Sequence, residues 1–306
     1  MQSLVVLGAN GFLGKALISG LDDSISVKAT VRNLSSSAIK EQMNVTWFEA
    51  DMTIPGSLKS IIEKDDIVLN LVYIPSENNK INLQVIDNIL NTCIENKASR
   101  LVHCSTVGVV GASPVNTITE DTICLPRSSY EKNKEILERK LLESTVQQLD
   151  IGILRPTTII GPGGQNLLKL ANSLLYGNRF LNYLRSCLFS YRPMHLVPVN
   201  DVANSLMYMA FFRGSLNKNI YIISADDDSI NNFQSVERIL IQSIGLKSRI
   251  FPVIPMPVWI LSFLLRVMGR SAYNMKRTYS YEKLRSINFQ RKDTLKNAIQ
   301  KFSEAL

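Results

Sequence analysis

Apolar residues along the chain form short continuous runs that alternate with segments in which they recur every three or four positions. The first run covers residues 3–7, and the first segment with helical spacing covers residues 12–21. Further runs predict strands at residues 26–31, 45–49, 67–71, 101–104 and 151–154, and helical spacing recurs at residues 81–96 and 129–149. Strands that alternate with helices predict right-handed crossovers and a parallel sheet.

This regular alternation ends after Pro156, and residues 161–164 are rich in glycine. Beyond them the pattern predicts helices at residues 167–175 and 202–212, and buried strands at residues 197–199 and 219–224. We predict an α/β chain with a Rossmann-type doubly wound parallel sheet over residues 1–165. A smaller mixed α/β part follows over residues 166–306, with segments that cross back to the first.

The composition excludes several classes of protein. The chain of 306 residues is 45% hydrophobic and 20% charged, as in an ordinary globular protein. Its net charge of +8 comes from scattered Lys and Arg residues without a nucleic-acid-binding motif, which favours an anionic small molecule over nucleic acid as the partner. The apolar stretch at residues 253–268 contains Arg266 and two prolines. This favours an amphipathic core helix over a lid or membrane-touching helix, and argues against a membrane span.

The first residues of the chain and its cysteines indicate the cellular compartment of the protein. The first residues form a strand and a glycine loop, and do not resemble a signal peptide. The four cysteines form neither a CxxC pair nor a metal-binding set, and Cys93 and Cys104 stand among apolar residues. We expect a soluble cytoplasmic protein without a metal, and a homodimer is possible.

A glycine loop connects the first predicted strand to the first predicted helix. Gly8, Gly11 and Gly14 form the sequence GANGFLG. The first glycine permits a tight turn, the second lets the backbone approach a pyrophosphate, and the third lets the helix pack on the strand. The helix N-terminus would then hold the pyrophosphate of a dinucleotide. We therefore predict that residues 1–165 bind a dinucleotide and residues 166–306 bind the substrate.

The GxxGxxG spacing resembles the extended branch of the short-chain dehydrogenase/reductase superfamily, the NAD-dependent epimerases and dehydratases that modify nucleotide sugars. Further motifs follow in the family's order along nearly the whole chain. They are Asp51-Met52, DIVLNLV at residues 66–72, Asn82, Glu120 and Pro126, the YxxxK pair Tyr130 and Lys134, LRPTTIIGPG at residues 154–163, and VNDVA at residues 199–203. Asn70 and Val72 stand where that family usually has His and Ala.

The resemblance implies a catalytic set of Thr106, Tyr130 and Lys134. Tyr130 and Lys134 are four residues apart on a predicted helix and share a face. A tyrosine with its ordinary pKa near 10 is a poor base at neutral pH, so we expect the Lys134 ammonium to lower the pKa of Tyr130. Thr106 is five residues before Gly111, where the family has its catalytic hydroxyl, and Ser105 would lie beside it nearer the nicotinamide.

Arg32 bears on the choice between NAD and NADP. An acid at the end of the second strand is typical of NAD binding, whereas an arginine there accommodates the phosphate of NADP. This strand ends in KATVRN, which favours NADP, with NAD possible. The residues expected to contact the cofactor are Gly8, Asn10, Gly11, Phe12, Leu13, Gly14, Arg32, Asn33, Asp51, Met52, Leu71, Val72, Tyr73, Ser105, Tyr130, Lys134, Pro156 and Thr157.

The resemblance also reduces the number of candidate reactions. Thr106 is followed by Val107 and Gly108 instead of the Asp-Glu of the family's dehydratases, which favours a 4-keto reductase or 4-epimerase of a nucleotide-linked sugar. Asn166, Arg192 and His195 are the predicted substrate contacts, with Arg179 and Arg185 as weaker choices. Two alternatives stay open. One is a hydroxysteroid-dehydrogenase-like or dihydroflavonol-reductase-like enzyme for an apolar alcohol or ketone, and the other is a non-catalytic NADP-binding regulator.

Overall fold

The computed structural model describes residues 3–35, 42–75, 79–145, 148–247, 252–257 and 276–306. Among these residues, seven parallel strands form the central sheet in the order β3-β2-β1-β4-β5-β7-β10. Their bounds are β1 Leu4–Leu7, β2 Val27–Val31, β3 Val45–Glu49, β4 Ile67–Asn70, β5 Arg100–Cys104, β7 Asp150–Pro156 and β10 Asn219–Ile223. The predicted Rossmann-type parallel sheet is confirmed.

Helices cover both faces of this sheet and form a further layer beyond it. The described α-helices are α1 Phe12–Ser19, α2 Lys80–Glu95, α3 Ser129–Leu142, α4 Leu168–Tyr176, α5 Arg179–Phe189, α6 Val199–Ala210, α7 Phe233–Ser243, α8 Glu282–Ser286 and α9 Leu295–Glu304. Two small parallel pairs complete the described strands: β8 Thr158–Ile160 with β9 Leu196–Pro198, and β6 Thr117–Ile118 with β11 Thr278–Tyr279.

The alternating side chains of the strands divide the core into two layers. In β1, Leu4 and Val6 pack with α1 and α6, whereas Val5 and Leu7 pack with α2 and α3. A strand buried on both faces needs apolar side chains at every position, and all four residues of β1 are buried. A third apolar cluster joins α4, α7 and α9 to β8 and β9.

The last strand of the sheet comes from the second half of the chain. β10 pairs with β7 along its whole length, from Asn219 beside Gly152 to Ile223 beside Pro156. Gly152 permits this packing because a Cβ there would lie 2.4 Å from the Leu216 side chain. The second half of the chain therefore shares the central sheet with the first.

Several predicted boundaries are wrong. The helix predicted over residues 129–149 ends at Leu142, where the hydroxyl of Ser144 donates to the carbonyl of Leu141 and competes with the helical pattern. Helix α6 begins at Val199, three residues earlier than expected, directly after Pro198, which has an extended conformation. The apolar stretch at residues 253–268 lies largely outside the described residues. Within the described part of the chain, no helix has the length and apolar character needed to cross a membrane.

Candidate active site

The turn between β1 and α1 has the tight geometry expected of the glycine loop. Gly8 has φ of +82°, a conformation that residues with a side chain rarely adopt. A Cβ on Gly14 would lie 2.5 Å from the carbonyl oxygen of Ala9, so only glycine lets α1 approach the turn this closely. The N-terminus of α1 therefore lies directly at the carboxyl end of β1, as an anion site requires.

A cavity of about 340 Å³ opens beside this turn, at the carboxyl ends of β1 to β4. Eight of the residues that the sequence predicts as cofactor contacts line this cavity: Gly8, Asn10, Gly11, Arg32, Asn33, Asp51, Met52 and Val72. Sequence reasoning missed four further lining residues, Thr30, Val31, Ala50 and Ile74. Val31, Ala50 and Ile74 are apolar, and nothing in the sequence distinguishes them from residues of the core.

Arg32 and Asp51 place opposite charges in this cavity. The carboxylate of Asp51 accepts hydrogen bonds from the hydroxyl and the backbone N–H of Thr53, at 2.7 and 2.9 Å. These bonds lower the pKa of Asp51, and the positive charge of Arg32 adds to the effect. Asp51 is therefore ionised at neutral pH, and the cavity has one anionic and one cationic group for a ribose and its substituents.

Two asparagines fix the segment that follows β4. The side-chain oxygen of Asn70 accepts from the backbone N–H of Val72 at 3.0 Å, and its amide lies 3.1 Å from His103. The side chain of Asn82 makes two hydrogen bonds with the backbone of Ile74. His103 is fully buried, and burial keeps its pKa well below the ordinary value. These contacts hold Leu71, Val72 and Tyr73 against the sheet edge.

The predicted catalytic residues meet where β5 ends and α3 begins. Ser128 caps α3 in a reciprocal capping box with Glu131, which places Tyr130 and Lys134 in its first turns. Thr106 caps a 3₁₀ turn at Val107–Val110, and its hydroxyl accepts from the backbone N–H of Gly108. The same hydroxyl lies near enough to Tyr130 to act on its pKa, so the two hydroxyls can share one substrate oxygen.

Lys134 lies beneath this pair and is only 4% exposed. Its ammonium donates to the carbonyl oxygen of Cys104 at 3.0 Å and lies 4.9 Å from the centre of the Tyr73 ring. The Tyr73 ring in turn meets the ring of Tyr130 edge-on, with centroids 5.0 Å apart. Tyr73 therefore contacts both members of the YxxxK pair, which sequence reasoning did not anticipate.

The expected lowering of the Tyr130 pKa is wrong for the free protein. Partial burial raises the pKa of Tyr130 to about 12, the neighbouring Cys104 and Tyr73 add to the rise, and the Thr106 hydroxyl opposes it. The Lys134 ammonium is directed at Cys104 and Tyr73, and its own pKa is lowered by burial. Tyr130 is thus a neutral phenol at neutral pH and can donate a proton.

Two buried hydroxyls near these strand ends have no hydrogen-bond partner among the described residues. They belong to Ser105 and Thr157, each about 5% exposed. A buried hydroxyl without a partner costs free energy, so such groups suit a polar ligand atom. Pro156 ends β7 beside them, Leu13 packs on the core, and the Phe12 ring contacts the glycine-rich turn at Gly164. These residues fit a dinucleotide.

The predicted substrate residues all make contacts within the chain. The side chain of Asn166 donates to the carbonyl of Ile159 at 2.7 Å. The guanidinium of Arg192 stacks on the Phe189 ring, and His195 lies 2.7 Å from the carboxylate of Asp226. Their role toward a substrate stays a prediction.

Four buried or half-buried charged residues hold the framework of the site together. Glu138 and Arg155 form a buried ion pair between α3 and β7. Asp201, from the VNDVA motif, accepts from the backbone N–H groups of Lys292 and Asp293 and so fixes the approach to α9. Arg277 donates to the carbonyls of Gly111 and Ser113, a long-range contact without a sequence signal.

Comparison with known proteins agrees with this geometry. The model of the NAD-dependent epimerase/dehydratase family matches residues 4–184. The chain is 24% identical to human short-chain dehydrogenase/reductase family 42E member 1, over 92% of this chain and 76% of that protein. It is 25% identical to a sterol-4-alpha-carboxylate 3-dehydrogenase of Schizosaccharomyces pombe, over 57% of this chain and 55% of that protein.

Among solved structures, the UDP-N-acetylglucosamine 4-epimerase of Methanobrevibacter ruminantium, in complex with UDP-N-acetylmuramic acid, superposes with a TM-score of 0.75. The two chains are 17% identical, and the superposition covers 99% of this chain and 97% of the epimerase. At this identity the likeness concerns the fold.

Proposed function

The chain belongs to the NAD-dependent epimerase/dehydratase family, and within that family we propose that it is an NADP-dependent dehydrogenase or reductase of an apolar secondary alcohol or ketone. The arrangement of the Thr106 and Tyr130 hydroxyls beside the buried Lys134 carries this proposal. It pairs a proton donor with a second hydroxyl that can bind the same substrate oxygen.

The chemistry follows from the protonation of Tyr130. Because its pKa is raised to about 12, Tyr130 begins a reduction as a neutral acid and donates its proton to the carbonyl oxygen. Thr106 would hold that oxygen by a hydrogen bond, and the phenolate that remains would recover its proton from solvent, to which Tyr130 is exposed. When bound, a nicotinamide would supply the hydride in a reduction or accept it in an oxidation.

Arg32 supports NADP as the cofactor. It lines the cavity beside Gly8 and Gly11, next to Asn33 and opposite Asp51. A guanidinium at this position pairs well with a phosphate on the adenosine ribose. We assign this cavity to the adenosine half of the cofactor, and the buried hydroxyls of Ser105 and Thr157 to its nicotinamide half.

The contacts of the candidate substrate residues favour an apolar substrate. A nucleotide sugar needs free cations for its diphosphate, but the guanidinium of Arg185 bonds Ser173 and faces Glu237, and Arg192 stacks on Phe189. Exposed apolar side chains instead lie along the segment that leads into α3, at Ile123 and Leu125. Two of the relatives in sequence are named for sterol substrates, which agrees with this choice.

A nucleotide-linked sugar is the second candidate substrate. The stretch of residues 151–200 contains basic residues and no acidic ones, so it would attract a diphosphate. Under this alternative, Arg192 contacts the diphosphate, Asn166 and His195 contact the base or the sugar, and Tyr130 acts in 4-keto reduction or 4-epimerisation.

A substrate panel distinguishes the two candidates. Nicotinamide absorbance is followed with NADPH and with NADH, against 3-keto sterols and alkyl ketones in one set and nucleotide 4-keto sugars in the other. We expect turnover of the apolar set with NADPH and none with the nucleotide sugars. Turnover of nucleotide sugars alone would overturn the substrate assignment, and a loss of affinity of at least about tenfold in Arg192→Ala would then place that residue at the diphosphate.

The cofactor assignment is tested separately by affinity. Arg32→Asp should weaken NADPH binding and leave NADH binding relatively favoured, because a carboxylate repels the phosphate. Lys64→Asp, an exposed lysine outside the cavity, is the control. A native protein that already prefers NADH would contradict the assignment.

A further inference from the structure

Helix α5 is oriented with its polar side inward. The residues it buries are Asn182, Ser186 and Cys187, whereas Phe180, Leu181 and Leu184 are exposed. A helix on the surface of a water-soluble protein normally turns its apolar stripe to the core and its polar stripe to water. The arrangement in α5 is therefore the reverse of what water alone would favour.

Hydrogen bonds on the buried side fix this orientation. The amide of Asn182 bonds both the hydroxyl and the backbone carbonyl of Ser173. The hydroxyl of Ser186 donates to the buried carboxylate of Glu237 at 2.6 Å. Rotation of α5 about its axis would leave these buried groups without partners, which is costly. The outward direction of the apolar residues is thus imposed by the fold.

The exposed residues form one apolar face. Phe180 is 66% exposed and Leu181 is 63% exposed, and Tyr176, the last residue of α4, is 83% exposed. Residues 252–257 lie along the same helix, because the backbone of Met256 bonds Cys187 and the hydroxyl of Tyr183 bonds Pro252. This segment adds Ile254, which is also exposed. We call Tyr176, Phe180, Leu181, Leu184 and Ile254 the apolar face.

The charged residues of the segment that carries α4 and α5 have one sign. Residues 151–200, which contain α4 and α5, include no Asp or Glu but carry Arg155, Lys169, Arg179, Arg185 and Arg192. Lys169 and Arg179 are exposed near the apolar face. Exposed aromatic and leucine side chains beside cations are the combination by which a helix lies in an anionic lipid surface.

We propose that the apolar face of α4 and α5 docks the protein on the surface of an anionic lipid bilayer. Phe180 and Leu181 would enter the boundary between headgroups and acyl chains, while Lys169 and Arg179 pair with lipid phosphates. A second copy of the chain is a poorer occupant, because a two-fold interface would bring the same cations together without acidic partners. The docking does not depend on the substrate of the enzyme.

Flotation with lipid vesicles tests this docking. The full chain is mixed with vesicles of phosphatidylcholine alone, and with vesicles that contain 30% phosphatidylglycerol, at low and high salt. We expect binding to the anionic vesicles that weakens at high salt. Phe180→Ser with Leu181→Ser should lower the partition coefficient by roughly tenfold or more, because each inserted side chain contributes through buried apolar area.

Matched variants separate the apolar and the electrostatic contributions. Met43→Ser removes an exposed apolar side chain elsewhere and should leave vesicle binding unchanged. Lys169→Glu with Arg179→Glu should abolish the preference for anionic vesicles, whereas the same charge change at Lys64 and Lys301 should weaken it much less. Circular dichroism of each variant verifies that it is folded.

Three results would overturn the proposal. The native protein could fail to float with every vesicle composition, or Phe180→Ser with Leu181→Ser could bind as well as the native chain. Alternatively, sedimentation could show a dimer that the same double variant dissociates, which would assign the apolar face to a second copy. None of these results bears on turnover of a dissolved substrate, so the enzymatic proposal stands or fails by itself.

Discussion

Helices α3 and α5 both bury polar side chains, but they do so with opposite outer surfaces. Helix α3 buries Lys134 and Glu138, and its solvent side carries charges such as Arg139. Helix α5 buries Asn182 and Ser186, and its solvent side is apolar. In both helices the buried polar groups have partners in other elements, which set the rotation of the helix. The two helices differ in which side chains this rotation places on the buried side and on the solvent side.

In α3 the buried side is the one that supports the proposed chemistry. The ammonium of Lys134 reaches the carbonyl at the end of β5, and Glu138 pairs with Arg155 of β7, so Tyr130 is presented to Thr106. In α5 the buried side is an anchor, and the side with no partner among the described residues is the apolar face. Hydrogen bonds to the buried polar residues of a helix can thus keep an apolar side exposed to solvent.

The largest expected effect removes the phenol of α3. Tyr130→Phe deletes the proton donor, so turnover should fall by roughly 10²–10⁴-fold while cofactor affinity is retained. Steady-state kinetics and a cofactor titration measure the two. Tyr183→Phe removes a phenol from α5, where the hydroxyl donates to the carbonyl of Pro252 and is not part of the predicted catalytic set, and should keep turnover within about twofold. Equal losses of turnover in the two variants would contradict a catalytic role that is specific to Tyr130 of α3.

The next effect concerns the buried ion pair of α3. Glu138→Gln leaves the guanidinium of Arg155 buried without its counter-charge and should lower the free energy of unfolding by about 3–5 kcal/mol. Urea denaturation measures this change. Glu135→Gln, in the exposed pair with Arg139 on the same helix, should cost about 0–1 kcal/mol. Similar values for both would show that burial does not strengthen the pair.

A smaller effect is expected at the anchor of α5. Ser186→Ala removes the donor to Glu237 and should lower the free energy of unfolding by about 1–3 kcal/mol. Ser243→Ala, whose hydroxyl bonds only a carbonyl of its own exposed helix end, is the control and should cost less than about 0.5 kcal/mol. If Ser186→Ala has no effect in urea denaturation, the hydrogen bond does not fix the orientation of α5.

The smallest effect on stability is expected on the apolar face. Phe180→Ser replaces a large exposed side chain and should change the free energy of unfolding by no more than about 0.5 kcal/mol. Leu137→Ala, at a buried apolar position of α3, should cost about 2–5 kcal/mol in the same assay. A large loss from Phe180→Ser would mean that the face is packed in solution, which contradicts its exposure.

Local patterns in the sequence predicted the first half of the fold well. Strand runs of four or five apolar residues, a glycine at each close approach of the first turn, and the four-residue spacing of Tyr130 and Lys134 are all local signals. They indicated the parallel sheet and the arrangement of the nucleotide cavity, because the geometry of a strand–turn–helix unit depends on residues close in sequence.

The partners of the charged and polar groups depended on the tertiary structure. The ammonium of Lys134 is directed at Cys104 and Tyr73, so Tyr130 has a raised and not a lowered pKa. The spacing of Tyr130 and Lys134 predicted that the two side chains share one face of a helix. It did not reveal the desolvation of Tyr130 or the nearby Tyr73, which decide the sign of the pKa shift.

The sequence by itself determined the strands, the glycine turn and the residue types of the catalytic set, since these follow from periodicity and from side-chain chemistry. Only the tertiary structure decided that β10 joins the sheet beside β7, that Arg155 pairs with Glu138, and that α5 turns its apolar side outward. Each of these depends on contacts between residues far apart in sequence, and hydrogen bonds to Ser173 and Glu237 outweigh the apolar stripe that would otherwise have set the rotation of α5.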